Sequence, residues 1–152
     1  MRVGVFLDVS NLYHGAKATH NKKINYRAFY KFIQDHLGPI SVAKAYGVQT
    51  KNEAEAFIAS LSKVGFEPIY KKTRSYSGVT TGDIDTHLTV DIVRHLDDFD
   101  FLLLGSADAD FLPIVDYALE QNKRVMIMAC NVSHLLQERA DICAEIHEGL
   151  LL

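Results

Sequence analysis

Residues 101–115 read FLLLGSADADFLPIV: four apolar residues, then Gly105 and Ser106, then Asp108 and Asp110 with alanines as spacers, and then a resumed apolar pattern. A short apolar run closed by Gly and Ser is the pattern of a buried strand, and DFLPIVDYALEQ beyond it has helical spacing. Two carboxylates repel each other at the point where that strand ends. Such a pair calls for a positive partner beside it.

Outward from this stretch, strands and helices alternate. RVGVFLDVS is strand one, ending at Asp8. NYRAFYKFIQDHLG places Tyr26, Phe29, Tyr30, Ile33 and Leu37 at helical spacing, with Asn25 as a cap and Gly38 as a stop. ISVAKAYGV is strand two. NEAEAFIASLSKVG is a helix with Asn52 capping, Glu55 three positions on and Gly65 ending it. FEPIYKK is strand three, and Pro68 suits an edge position. TRSYSGVTTG is a polar loop without periodicity. DIDTHLTVDIVRHL follows as a helix burying Leu88, Ile92 and Leu96, with DFLLLG as strand four. KRVMIMAC is strand five, SHLLQERA a short helix and DICAEIHE a last strand.

This alternation predicts an α/β fold, a three-layer αβα sandwich around a mostly parallel sheet, with expected strand order 3-2-1-4-5. No repeat or linker interrupts it, so residues 1–152 are expected to form one domain. In such sheets ligands bind beyond the carboxyl ends of the strands, where the strand order reverses. For this order the crevice lies between strands one and four, where Asp8 meets Asp108 and Asp110.

Composition narrows the function classes. The chain has 152 residues, 48% hydrophobic and 23% charged, with a net charge of −3. No apolar run approaches the ~18 residues a membrane span needs, and the N-terminus turns polar too soon for a signal peptide. A cytoplasmic location and no membrane partner are the expectation. The net charge argues against a broad phosphate-gripping surface, so a nucleic-acid partner would need a local basic patch or a metal. Cys130 and Cys143 form no metal pattern and read as small core residues at strand edges.

Taken singly, each acid has a plain structural account. Asp108 could cap the next helix with Asp110 in its first turn, and Asp83 or Asp85 could cap the helix upstream. Asp91, inside a largely apolar helix, could face solvent. Asp8 resists such an account, because a carboxylate buried unpaired after an apolar strand costs several kcal/mol. Together, Asp8, Asp85, Asp108 and Asp110 would converge in one crevice, which is tolerated when a cation sits among them. Oxygen-only ligands select hard cations, Mg²⁺ or Mn²⁺.

VFLDVSNLY, GDIDTHLTVD and GSADADFLPIV followed by NKRVMIM resemble the NYN domain in its LabA-like branch, whose fold is that of PIN-domain ribonucleases. The resemblance runs from Val3 to about Ile146. Carried over by position, Asp8 and Asn11 match the first motif, Asp85 and Asp91 the second, and Ser106, Asp108, Asp110 and Phe111 the third. It implies a hydrolase: acids at Asp8, Asp85, Asp91, Asp108 and Asp110 binding Mg²⁺ or Mn²⁺, with Asp8, Asp85, Asp108 and Asp110 catalysing cleavage of an RNA phosphodiester. One or two ions are equally compatible with it. Asn11 would orient a water or phosphate, or cap the following turn. Ser106 would donate to phosphate, or support the turn after strand four. Phe111 belongs to the core. The pattern departs from the family at Gly82, where a Lys is usual, and at Ala107, where a Gly is usual. The alternative is therefore a catalytically weak or inactive regulatory or RNA-binding module.

YKKTRSYSG sets Lys71, Lys72 and Arg74 between Tyr70 and Tyr76, a mixture of cations and rings that suits single-stranded RNA. Its plain reading is a solvated strand end and loop. His87 could assist a proton transfer near Asp85, or be an ordinary helix histidine. An exposed edge at strand three or the last strand could mediate a homodimer. Two phosphotransfer architectures fit poorly. A dehalogenase-type phosphatase needs D-x-D after strand one, where Val9 and Ser10 follow Asp8, and a receiver domain needs an Asp after strand three, where Lys71 and Lys72 stand.

Overall fold

A computed structural model describes residues 1–49, 54–72 and 81–152. The elements run β1 (Val3–Asp8), α1 (Val9–His20), α2 (Tyr26–His36), β2 (Ile40–Gln49), α3 (Glu55–Val64), β3 (Glu67–Lys72) and α4 (Thr81–Arg94). They continue with β4 (Phe101–Gly105), α5 (Leu112–Glu120), β5 (Arg124–Ala129), α6 (His134–Arg139) and β6 (Ile142–Glu145). All six strands pair in parallel in the order β3-β2-β1-β4-β5-β6. The expected order is thus observed, extended by β6, and the helices flank the sheet. No helix among the described residues is long and apolar enough to cross a membrane.

The central strands explain their own position. Every residue of β1 and β4 is buried, which only a strand covered on both faces can satisfy, and it is why these two read as unbroken apolar runs. Phe6, Leu7, Leu102, Leu103, Leu104, Ile127 and Phe99 form the middle of the core. Register pairs Leu7 with Gly105, so Asp8 is level with Ser106, the first residue after β4. The chain turns to one side from β1 to β2 and returns on the other as β4, which opens the crevice between their carboxyl ends.

Local rules account for the helices. In α2, Tyr26, Phe29 and Ile33 face the core and the Asn25 side chain accepts from the Ala28 N–H at 3.1 Å. Gly65 ends α3 at φ 132°, a conformation open to glycine. The expected cap at Asn52 lies outside the described residues. Pro68 falls on β3, the sheet edge, as expected.

Two differences have clear causes. The sequence does not announce α1, because only Val9, Leu12 and Ala16 bury on the core and most of its other positions are polar. Cys130 is buried as expected, but Cys143 is exposed, because β6 closes the sheet as an edge strand with Ile142, Cys143 and Glu145 open to solvent.

Candidate active site at the carboxyl edge of the sheet

Asp8 marks the point where β1 turns into α1. It is only 7% exposed. One carboxylate oxygen accepts the Asn11 N–H at 3.2 Å, which caps α1, and the other accepts the Ser106 hydroxyl at 3.5 Å. Burial pushes the Asp8 carboxyl upward and the Asn11 N–H opposes this. The charge of Asp108 raises it further, while the Ser106 hydroxyl and a positive His14 favour the carboxylate. Asn11 in turn accepts the Ala107 N–H on its side-chain oxygen at 2.9 Å, tying α1 to the turn after β4.

That turn is built from its own polar groups. The Asp108 N–H donates to Ser106 Oγ at 3.2 Å, and the Asp110 N–H donates to Asp108 Oδ1 at 2.9 Å. Asp108 therefore does cap, starting the short 3₁₀ turn Ala109–Phe111 that leads into α5. Asp108 also lines the crevice. Ser106 is wholly buried with its hydroxyl spent on Asp8. It supports the turn through this bond and the one from the Asp108 N–H. Phe111 is in the core as expected.

From the other side α4 delivers Asp85. Ligand oxygens of Asp85, Asp108 and Asp110 all lie within 4.8 Å of one another. Three carboxylates this close leave their mark on Asp85, whose carboxyl is pushed up to about 6 by partial burial and then by the charges of Asp8, Asp108 and Asp110. Asp8, Asn11, Ser10, His14, Ile84, Asp85 and Asp108 line a cleft of about 180 Å³ here. The convergence of Asp85, Asp108 and Asp110 thus appears in the structure, with Asp8 in the same cleft wall, near enough for its charge to act on Asp85.

Asp91 lies elsewhere. It is 6% exposed, so it does not face solvent, and it is not one of the grouped carboxylates. The Tyr46 hydroxyl donates to it at 2.7 Å across the β2–α4 interface. His87 Nε2 lies 3.4 Å away, and Arg94 reaches it at 3.9 Å. Six positions along α4 from Asp85, it packs against β2 through Tyr46. His87 is thereby engaged with Asp91, and its ring also lies edge-on to Tyr46 at 5.8 Å.

Of the expected basic group, Lys71 lies half-buried on β3 opposite Val48. Arg74 and the Lys72 side chain fall outside the described residues. The sequence reading missed Tyr13, His14, Tyr26 and Phe57, which line a larger groove beside the acidic cleft. His14 lies three positions after Asn11, on the same face of α1.

The comparisons agree with this arrangement. The crystal structure of a protein of unknown function, VPA0982 from Vibrio parahaemolyticus RIMD 2210633, superposes with a TM-score of 0.88 at 26% identity, covering 99% of this chain and 96% of that one. No curated protein matches the chain. The NYN domain matches residues 2–147, a span that includes β1 with Asp8, α4 with Asp85 and the turn carrying Asp108 and Asp110. With the parallel sheet, the crevice and its acids in place, the chain belongs to the NYN domain family, a family of PIN-like nucleases.

Proposed function

We propose that this NYN domain, of the LabA-like branch, is a metal-dependent ribonuclease that hydrolyses RNA phosphodiester bonds in the cleft between β1 and β4. The observation that carries the reading is the mutual approach of Asp85, Asp108 and Asp110 within 4.8 Å at the sheet's carboxyl edge. Their donor set fits a hard divalent cation, Mg²⁺ or Mn²⁺: it is oxygen-only, crowded and partly open to water. The Asp85 carboxyl is raised first by burial and then by the charges of Asp8, Asp108 and Asp110, and a cation would relieve that second part. When bound, such an ion polarises a phosphoryl oxygen and lowers the pKa of its water.

The chain's own groups divide the remaining work. Asp85, Asp108 and Asp110 hold the ion. Asp8 adds negative charge and, through Ser106 and the Asn11 N–H, fixes where the turn after β4 stands. Asn11 locks that turn from the α1 side. The acids are therefore positioned before any ligand arrives, which lowers the cost of assembling the site. The working compartment in this reading is the cytoplasm, and the substrate is single-stranded.

The test is incubation of the purified protein with end-labelled single-stranded RNA in Mn²⁺, in Mg²⁺ and in EDTA, with Asp108→Asn alongside. Cleavage that needs both the ion and Asp108 is the expected result. A folded protein that cuts under none of these conditions would overturn it. Gly82, at the place of the family's usual Lys, favours a second reading: a domain that binds RNA with little or no turnover. Metal binding without cleavage in the same assay is the result that reading expects.

A further inference from the structure

The acidic cleft opens sideways into a groove of about 590 Å³, within the roughly 300–1,000 Å³ typical of pockets that enclose organic ligands. The two are continuous, because Ser10, His14, Gly47 and Val48 line both. The groove runs over the carboxyl ends of β2 and β3, the next strands along from β1. It therefore extends the crevice along the sheet edge, as a chain-like ligand crossing the acids would require.

Its walls are aromatic. Tyr13 from α1 is 44% exposed and Phe57 from α3 is 38% exposed. Tyr26 stands edge-on to Phe57 with ring centroids 5.7 Å apart, which props Phe57 in place. Tyr70 lies across Gly47 so closely that a Cβ there would come within 2.3 Å of its ring. A glycine at this position lets the tyrosine lie flat over β2. The Tyr70 hydroxyl is buried without a hydrogen-bond partner among the described residues. Lys23 adds a cationic nitrogen to the lining.

We propose that this groove is a nucleobase subsite, in which Tyr13 and Phe57 stack unpaired bases of a single-stranded RNA whose scissile phosphate lies over the acids. The inference rests on the ribonuclease reading above and supplies the means of substrate recognition that reading lacks. Three features select RNA bases over an apolar peptide or a small metabolite. The groove continues into a cleft suited to a metal and phosphate. Its lining includes the exposed aromatic rings of Tyr13 and Phe57, and bases of any identity stack on such rings. The lining also includes the cation Lys23, complementary to a phosphodiester chain in a protein whose net charge is −3.

Binding measured in EDTA separates the subsite from catalysis. Fluorescence anisotropy at low salt would compare a labelled oligouridylate with an abasic ribose-phosphate oligomer of equal length. The proteins are the natural chain, Tyr13→Ala, Phe57→Ala, Tyr13→Phe and Phe57→Tyr, each checked for folding by circular dichroism. Each alanine variant is expected to weaken oligouridylate binding roughly tenfold, the loss of one stacked base. The aromatic-for-aromatic variants should retain affinity. The abasic oligomer should bind the natural chain weakly, with little further loss in the alanine variants. Equal binding of the two oligomers, unchanged affinity in both alanine variants, or no binding by the natural chain overturns the subsite. If Mn²⁺-dependent cleavage requires Asp108 while the stacking pattern is absent, the ribonuclease reading stands and the subsite falls. If the stacking pattern appears without cleavage in any metal, the subsite stands and the ribonuclease reading falls.

Discussion

Replacing Asp85 with Asn should have opposite consequences in the absence and presence of divalent metal, and the structure gives the size of each. In the metal-free protein Asp85 shares the crevice with Asp8, Asp108 and Asp110, and its carboxyl is raised from its ordinary 3.8 to about 6. Each tenfold change in a proton equilibrium is worth about 1.4 kcal/mol, so the full difference is about 3 kcal/mol. Asp85 is partly open to solvent, and screening reduces the expected effect to about 1–2 kcal/mol. Because the folded value lies above the unfolded one, the stability tied to the protonated group is complete below pH 3.8 and is lost as pH rises through about 6. Asp85→Asn removes that loss. In EDTA at pH 8 the variant should melt roughly 2–8 °C above the natural protein, at about 2–4 °C per kcal/mol for a chain of this size. Below pH 4 this advantage should vanish.

With metal the order reverses. An ion at a hundred times its dissociation constant stabilises a folded protein by about 2.7 kcal/mol, or roughly 5–10 °C here. Asp85→Asn should forfeit most of that gain. Differential scanning fluorimetry across pH, with EDTA and with a Mn²⁺ titration, reads both arms. A metal-free variant no more stable than the natural protein at pH 8 would refute the crowding of the carboxylates. An undiminished Mn²⁺ response in the variant would refute the assignment of the ion to this cluster.

Other substitutions test separate pieces of the frame. Tyr46→Phe deprives buried Asp91 of its 2.7 Å hydroxyl donor and should cost about 1–3 kcal/mol in urea unfolding, with Mn²⁺ affinity preserved because Asp91 is not among the grouped acids. Asn11→Ala leaves the Ala107 N–H without its 2.9 Å acceptor; we expect about 1–2 kcal/mol of lost stability and weaker Mn²⁺ binding by calorimetry as the turn loosens. Gly47→Ala drives a methyl against the Tyr70 ring, which thermal melting should register as a loss of about 1–3 kcal/mol.

The strand ends carrying Asp8 and the Asp108–Asp110 pair could be read from the sequence because a doubly covered strand must be apolar throughout. A carboxylate that follows one directly is conspicuous. Asp91 is hard to place from sequence for the opposite reason. Its partner Tyr46 is 45 positions away on β2, and helical spacing alone cannot tell a buried, hydrogen-bonded carboxylate from a ligand or a solvated one. Ser106 carries two roles in sequence, and the structure adds its bonds to Asp8 and to the Asp108 N–H, which the sequence cannot show. α1 escaped notice because its buried stripe is narrow.

The alternation of strands and helices, the parallel sheet that follows from it, and the crevice to which the acids come can all be read along the chain. These rest on local periodicity and on handedness rules that act between neighbouring elements. Which carboxylates meet, the pairing of Asp91 with Tyr46 and His87, and the gathering of rings from four separate elements into one groove emerge only on folding. Those outcomes depend on contacts between residues far apart in the chain, set by how α1, α3 and α4 pack on the sheet.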